Sequence, residues 1–286
     1  MVLDVRAPST NSDEPSVHVD WRLKAKHRAI KSPFEPWFAS LLARRDRRKG
    51  RAQPELAELL AERAALRACL VRELTVSSNT IDVGAHIGSV LRVIRRSAPN
   101  GRHVAIEADP AKAAMLARSF PDVEVVAAAV GPRAGRSRFE IDLQRGGYSR
   151  LVANEEAGDH DRRIIAVPVT TLDLVAADRR IELVKLDIEG GELGALRGAE
   201  TLLDQRPIVI FECGMSEHLD WRSDMGELHD LFSRRDYEIR TVVDHLRARP
   251  ALNLDEFLQT HEWPYRAWNF IARPTVSRHR WFGPPR

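Results

Sequence analysis

Along most of this chain short apolar runs alternate with stretches whose apolar residues recur at helical spacing. The apolar runs predict strands over 79–83, 103–107, 123–128, 183–187, 208–212, 237–243 and 265–272. Helices are predicted between most of them, over 88–96, 111–119, 172–177, 192–203 and 225–235. Strands alternating with amphipathic helices indicate an α/β fold with a mostly parallel sheet. Segment 131–168 breaks the pattern: "SRFEIDL" and "RRIIAVPV" flank a charged, glycine-bearing stretch, which reads as a hairpin or flap inserted at one rim of the sheet.

Ahead of the alternation, 19–74 reads as a helical extension punctuated by Pro33, Pro36 and Pro54. There Leu56, Leu59, Leu60, Ala64, Leu66 and Leu70 fall near one helical face, and Pro54 suits a first turn. Residues 1–18 are polar, proline-bearing and without period, and are predicted to be disordered. This divides the chain into a tail, a helical extension, a main domain over 75–275 and a basic tail over 276–286.

Composition narrows the class. With 43% hydrophobic and 30% charged residues in 286, the chain is an ordinary globular sequence. Its longest apolar run, 125–130, is far short of the ~20 residues of a membrane span, so no integral membrane segment is expected. The first residues lack a basic and then apolar leader, and the two cysteines, Cys69 and Cys213, cannot build a disulfide framework; the expected location is the cytoplasm. The net charge of +3 is uneven, with +6 in residues 1–51 and +4 in 268–286. The basic run "ARRDRRKGR" has no interleaved aromatics, so a solvated surface rather than a nucleic-acid partner is expected. The excess of arginine over lysine suggests a GC-rich bacterial genome. Homo-oligomerisation is compatible with all of this.

In an open parallel sheet, ligands bind beyond the carboxyl ends of the strands. The first strand closes as "TIDVGAHIGSV", where Asp82 ends the apolar run, Gly84 would let backbone approach a ligand, and Gly88 would allow close packing of the next helix. The second closes as "HVAIEADP", with Glu107 nineteen residues after Gly88, where an acid can accept both hydroxyls of a ribose. Asp109 and Pro110 read as the cap and first position of the following helix. Ala128, Ala129 and Val130 close the third strand and could wall an adenine ring or only pack the core. A dinucleotide signature would need glycine where His86 stands, so a nucleoside without a diphosphate fits better than NAD. The fourth strand runs into "VKLDIEGGE", which brings Asp187, Glu189 and Glu192 together, and Glu212 closes the fifth.

These segments, with "AAAVGPRAG", "VPVTTLDLV" and above all "VKLDIEGGELGALRGAETLLDQRPIVIFE", resemble the FkbM-type S-adenosylmethionine-dependent methyltransferases in order and spacing, over Thr80 to Glu212. The resemblance implies a class I methyltransferase fold, a Rossmann-like seven-stranded sheet with one antiparallel strand. It also implies O-methylation of a hydroxyl on a sugar, glycan or polyketide-type molecule. Carried over, Asp82, Gly84, Ala85 and Gly88 match the loop around the methionine part of S-adenosyl-L-methionine, Glu107 the ribose acid, and Ala129 with Val130 the adenine wall. Asp187 and Glu189 fall on the family's "K-x-D-x-E-G" block. His86 stands where the family usually has asparagine, and either preserves a hydrogen bond or adds a titratable group.

Methyl transfer to a hydroxyl needs a positioned acceptor and a group to take its proton. Asp187, Glu189, Glu212 and His86 are the candidates, with His218 behind them; Glu189 or Glu212 is expected to be the base and Asp187 to orient cofactor or acceptor. By strand alternation Asp187 and Glu189 would point the same way, provided the strand runs that far, and Glu192 reads as a helix-capping carboxylate. The same oxygens could instead hold Mg2+, although their spacing matches no recognised metal motif. Tyr148, Ser149, Trp221, Trp263, Tyr265 and Trp268 are available to stack on an acceptor. A nicotinamide-dependent oxidoreductase and a non-catalytic binding protein are the rival readings.

Overall fold

The computed structural model describes residues 35–142, 149–152, 162–214 and 220–275. The two tails, Tyr148 and His218 lie outside them. The extension forms two helices, α1 (Glu35–Ala52) and α2 (Ala57–Glu73), joined by a 3-10 turn at Pro54–Leu56. Then follow β1 (Thr80–Val83), α3 (Ser89–Ser97), β2 (His103–Ile106), α4 (Pro110–Ser119), β3 (Glu124–Val126), β4 (Ala129–Val130), β5 (Gly135–Asp142), β6 (Arg150–Val152) and β7 (Arg162–Thr170). The remainder is α5 (Leu172–Ala176), β8 (Leu183–Leu186), α6 (Glu192–Arg197), α7 (Glu200–Asp204), β9 (Ile208–Glu212), α8 (Trp221–Ser233), β10 (Tyr237–Thr241), α9 (Val242–Leu246), α10 (Leu254–Gln259) and β11 (Asn269–Pro274). No helix among the described residues is long and apolar enough to cross a membrane.

The main sheet has the order β10-β11-β9-β8-β1-β2-β3. Its strands from β9 to β3 pair in parallel, and β11 runs against both neighbours. Every residue of β1, β2 and β8 is buried, as expected of parallel strands covered on both faces. One face packs Ile81, Ile106, Leu186 and Phe211 against the helices after the strands, with Phe211 stacked between Phe232 and Phe270 at 5.4 and 5.6 Å. The other face packs Leu183, Ile210 and Ile271 against Cys69 and Leu70 of α2, Ile94 of α3 and Val242 of α9.

The extension is therefore part of the core. It is also tied to the far end of the chain by polar contacts: Glu58 forms ion pairs with Arg247, Arg249 and Arg266, and Glu73 pairs with Arg273 and is hydrogen-bonded to His245. Buried Glu62 accepts the backbone N–H groups of Trp268 at 2.7 Å and Asn269 at 2.6 Å. Replacing Glu62 by alanine strands those donors in the interior, and thermal or urea unfolding should show a loss of about 2–3 kcal/mol; a change within experimental scatter would show that the extension is not integral.

Several sequence expectations are corrected. The third predicted strand splits: β3 ends at Val126, and Ala129 and Val130 leave the main sheet to pair with Val169 and Thr170 in a second sheet, β4-β7-β5-β6. That sheet is what the inserted segment builds, β5 pairing antiparallel with β7 from Gly135 to Asp142. The predicted helix 192–203 is two, because the Asp173 carboxylate accepts from the N–H groups of Thr201 and Leu202 and starts a new helix there. The strand expected to reach 243 stops at Thr241, whose hydroxyl accepts from Asp244 N–H and caps α9. The last strand begins at Asn269, not 265, and the helix after Asn253 was unforeseen although Asn253 and Glu256 form a capping box.

Candidate functional site

A cavity of about 370 Å3 opens at the carboxyl ends of β1, β2, β8 and β9, within the range of small-molecule sites. Asp82, Gly84, Ala85, His86, Glu107, Ala129, Val130, Asp187, Glu189 and Glu212 all line it. Gly88 does not. Its φ is +82°, and a Cβ there would stand 2.4 Å from the Phe120 ring, so it admits helix-to-helix packing rather than a ligand.

After β1 the chain turns at Gly84, whose φ is +76° and whose absent Cβ would fall 1.8 Å from the Asp187 carbonyl oxygen. The close approach there is to protein backbone, and it draws the loop after β1 against the end of β8. Gly84 and Ala85 donate to the Ile106 carbonyl at 2.9 and 3.1 Å. His86 follows with φ +50°, a left-handed conformation that asparagine, aspartate and histidine adopt more readily than other side chains. That conformation aims the His86 N–H at Glu107, where Oε2 accepts it at 2.8 Å.

Glu107 Oε1 accepts the Asp109 N–H at 2.9 Å, and Asp109 in turn caps α4 by accepting from Ala111. The buried Glu107 carboxylate is thus fixed by one donor on each oxygen, leaving a lone pair on each for a ligand. Burial raises its pKa. Beside it Ile106, Ala108, Ala128, Ala129, Val130 and Phe139 form an apolar wall, and Ser149 with Arg150 and Leu151 of β6 complete that side.

Asp82 is 1% exposed, and its Oδ2 has no hydrogen-bond partner among the described residues. Burial, reinforced by the charges of Asp187 and Glu107, raises its pKa to about 7. A buried acceptor at a cavity wall either keeps a proton or awaits a donor from a ligand.

The opposite rim holds Asp187, Glu189 and Glu212. Since β8 ends at Leu186 and Glu189 has φ +55°, strand alternation does not govern these residues, yet Asp187 and Glu189 both reach the cavity. Burial, then the charges of Asp187 and Glu192, raise Glu189 to about 7. The Glu212 carboxyl is pushed up further, by burial and by the adjoining Asp187 carboxylate, to which it is hydrogen-bonded. Glu192 stays out of the cavity, where its Oε1 accepts Ile188 N–H at 2.9 Å and braces the turn that carries Glu189.

Asp82 and Glu192 give the stability of the ligand-free protein a pH dependence. Burial raises both from ordinary values of 3.8 and 4.5 to about 7. A carboxyl raised on folding stabilises the fold fully below its unfolded pKa, and the contribution is lost as pH rises through the folded value. The melting temperature should therefore fall as pH rises from 4.5 towards 7, and Asp82→Asn should flatten part of that slope; a flat wild-type profile would contradict the assignment.

Sequence reasoning passed over Lys185, Lys112, Phe139, Arg150 and Leu151. Lys112 and the last three line the cavity, and Lys185 stands behind it, fully buried, 3.3 Å from Asp187 Oδ2. A lysine inside an apolar strand was the available signal. Its ammonium already stands against the carboxylate proposed for Mg2+, and among the described residues no three His, Cys, Asp or Glu side chains converge as metal ligands. The Mg2+ reading has no support and is dropped.

A family model described as the methyltransferase FkbM domain matches residues 82–239, from the buried Asp82 through both rim strands. The chain belongs to the FkbM methyltransferase family. No curated protein matches this FkbM chain. Solved structures similar to it include precorrin-6y C5,15-methyltransferase from Geobacter metallireducens GS-15, 14% identical over 61% of this chain and 72% of that one, with a TM-score of 0.37. Magnesium protoporphyrin IX methyltransferase from Synechocystis PCC 6803 with bound SAM is 10% identical over 91% and 100%, with a TM-score of 0.37. The plantazolicin methyltransferase BpumL in complex with SAH is 12% identical over 89% and 96%, with a TM-score of 0.35.

Proposed function

We propose that this chain is an S-adenosylmethionine-dependent O-methyltransferase acting on a hydroxyl of a sugar, glycan or polyketide-type acceptor, with 75–275 as its catalytic domain. One observation carries the reading. A single cavity joins a carboxylate preset for two hydroxyls, Glu107, and an apolar wall at one end to a carboxylate rim at the other. The main sheet, with β11 reversed against β9 and β10, suits the class I arrangement.

The residues present fit the nucleoside donor. Glu107 would take the ribose hydroxyls, Ala129 and Val130 with Phe139 would face the adenine, and Asp82 with the Gly84–Ala85 turn would meet the methionine part. The unpartnered Asp82 Oδ2 is an acceptor that the protein leaves for such a ligand. When bound, S-adenosylmethionine supplies an electrophilic methyl whose departing bond pair stays on sulfur.

The protein must then hold the acceptor and remove its proton. Glu189 is suited to the second task, since it reaches the cavity and its pKa near 7 makes it an acceptor of protons around neutrality. Glu212 holds its proton too firmly to be the base and is better placed to donate a hydrogen bond at the rim, beside the orienting Asp187. His86 contributes its backbone N–H to Glu107, and its side chain also lines the cavity.

Incubation with isotopically methyl-labelled S-adenosylmethionine and a panel of hydroxylated sugars and polyketides tests the reading, with the labelled atom located by NMR. Label on oxygen is expected; label on nitrogen or carbon would overturn it.

A further inference from the structure

Lys185 is fully buried on β8, an inner strand of the main sheet. An ammonium removed from water is tolerated only where carboxylates and carbonyls face it. Its Nζ donates to the Leu186 carbonyl at 2.9 Å and lies 3.3 Å from Asp187 Oδ2. Asp82 stands beside it in register on β1. Glu62 of α2, the helix packed on this face of the sheet, bears on it as well, and Glu189, Glu192 and Glu212 do so from the strand ends. Asp187 has one side on this ammonium and the other in the cavity, where its side chain is 36% exposed.

We propose that Lys185 is a positioning residue for methyl transfer: from behind the cavity wall its ammonium holds the Asp187 side chain in place and leaves Glu189 to take the acceptor's proton. This rests on the O-methyltransferase reading. In the step, a lone pair of the acceptor oxygen forms the bond to the methyl carbon as that carbon's bond to the donor sulfur breaks with its pair left on sulfur; the O–H pair stays on the acceptor oxygen, and the proton goes to a carboxylate oxygen of Glu189. Asp187 and Glu192 bear on Glu189 with negative charge, Glu212 faces it from β9, and Lys185 supplies the opposing positive charge. Glu62 comes from a helix that precedes the family-matched segment, so the extension contributes to the electrostatics of the site.

The test is the pH profile of kcat/KM in Lys185→Met. Loss of a positive charge this close should move the acid limb up by about one to three pH units, while S-adenosylhomocysteine affinity, measured by calorimetry, stays as in the wild type. Lys185→Arg should keep the limb near its wild-type position even where stability drops. An unmoved limb in Lys185→Met, with the rate reduced by one factor at every pH, would mark Lys185 as merely structural and overturn the proposal. If that variant does not fold, Asp187→Asn decides: removal of the charge that Lys185 holds should move the limb down, and an unmoved limb overturns the proposal equally. A wild-type protein that neither binds S-adenosylhomocysteine nor transfers methyl groups would instead defeat the underlying reading.

Discussion

Glu107→Ala should weaken S-adenosylhomocysteine binding by at least about 100-fold, since two charge-assisted hydrogen bonds of about 1.5 kcal/mol each disappear together. The size of the effect follows from how the carboxylate is held. His86 N–H and Asp109 N–H fix its two oxygens before any ligand arrives, so little ordering is left to offset the bonds to a ribose. Glu107→Gln separates binding from folding: the amide keeps one acceptor oxygen for a backbone donor but turns a donor towards the other. It should recover part of the stability lost in Glu107→Ala and little of the affinity. Calorimetric titration of both variants checks this, and wild-type affinity in either would remove Glu107 from the site.

The second large effect is on the chemical step. Glu189→Gln should lower kcat by about 10^2 to 10^4-fold, the usual contribution of a positioned general base, with S-adenosylhomocysteine affinity unchanged. The wild-type rate should fall as pH drops below about 7, because Glu189 is raised to about that value and must be ionised to accept a proton. In Glu189→Gln that acid limb should vanish. A variant that keeps the wild-type rate and limb would transfer the role to another rim carboxylate.

Much of this was legible from local sequence. Strands buried on both faces show as unbroken apolar runs, and their closing residues Asp82, Glu107, Asp187 and Glu212 mark where the cavity must lie. The cap at Asp109 with Pro110 was legible for the same reason, since the signal is contained in adjacent residues. What escaped depends on contacts between distant segments. Lys185 reads as an ordinary charged residue until Asp82, Glu62 and Glu212 are brought around it from three other elements. Ala129 and Val130 carry a strand's composition, and nothing local says that they pair with β7 in another sheet. The period-two rule does not extend to Glu189, because the strand ends at Leu186 and Glu189 itself is left-handed. The helical extension showed its apolar stripe, but not that Glu62 would reach the backbone at the start of β11.

Whether the cavity is built for a methyl-donor nucleoside can be decided by one measurement: the shift in melting temperature of the full chain with S-adenosylhomocysteine, NAD+ and NADP+ in parallel. The geometry of Glu107, Asp82 and the apolar wall predicts a saturable rise with S-adenosylhomocysteine and none with either nicotinamide nucleotide. Stabilisation by a nicotinamide nucleotide alone would contradict it.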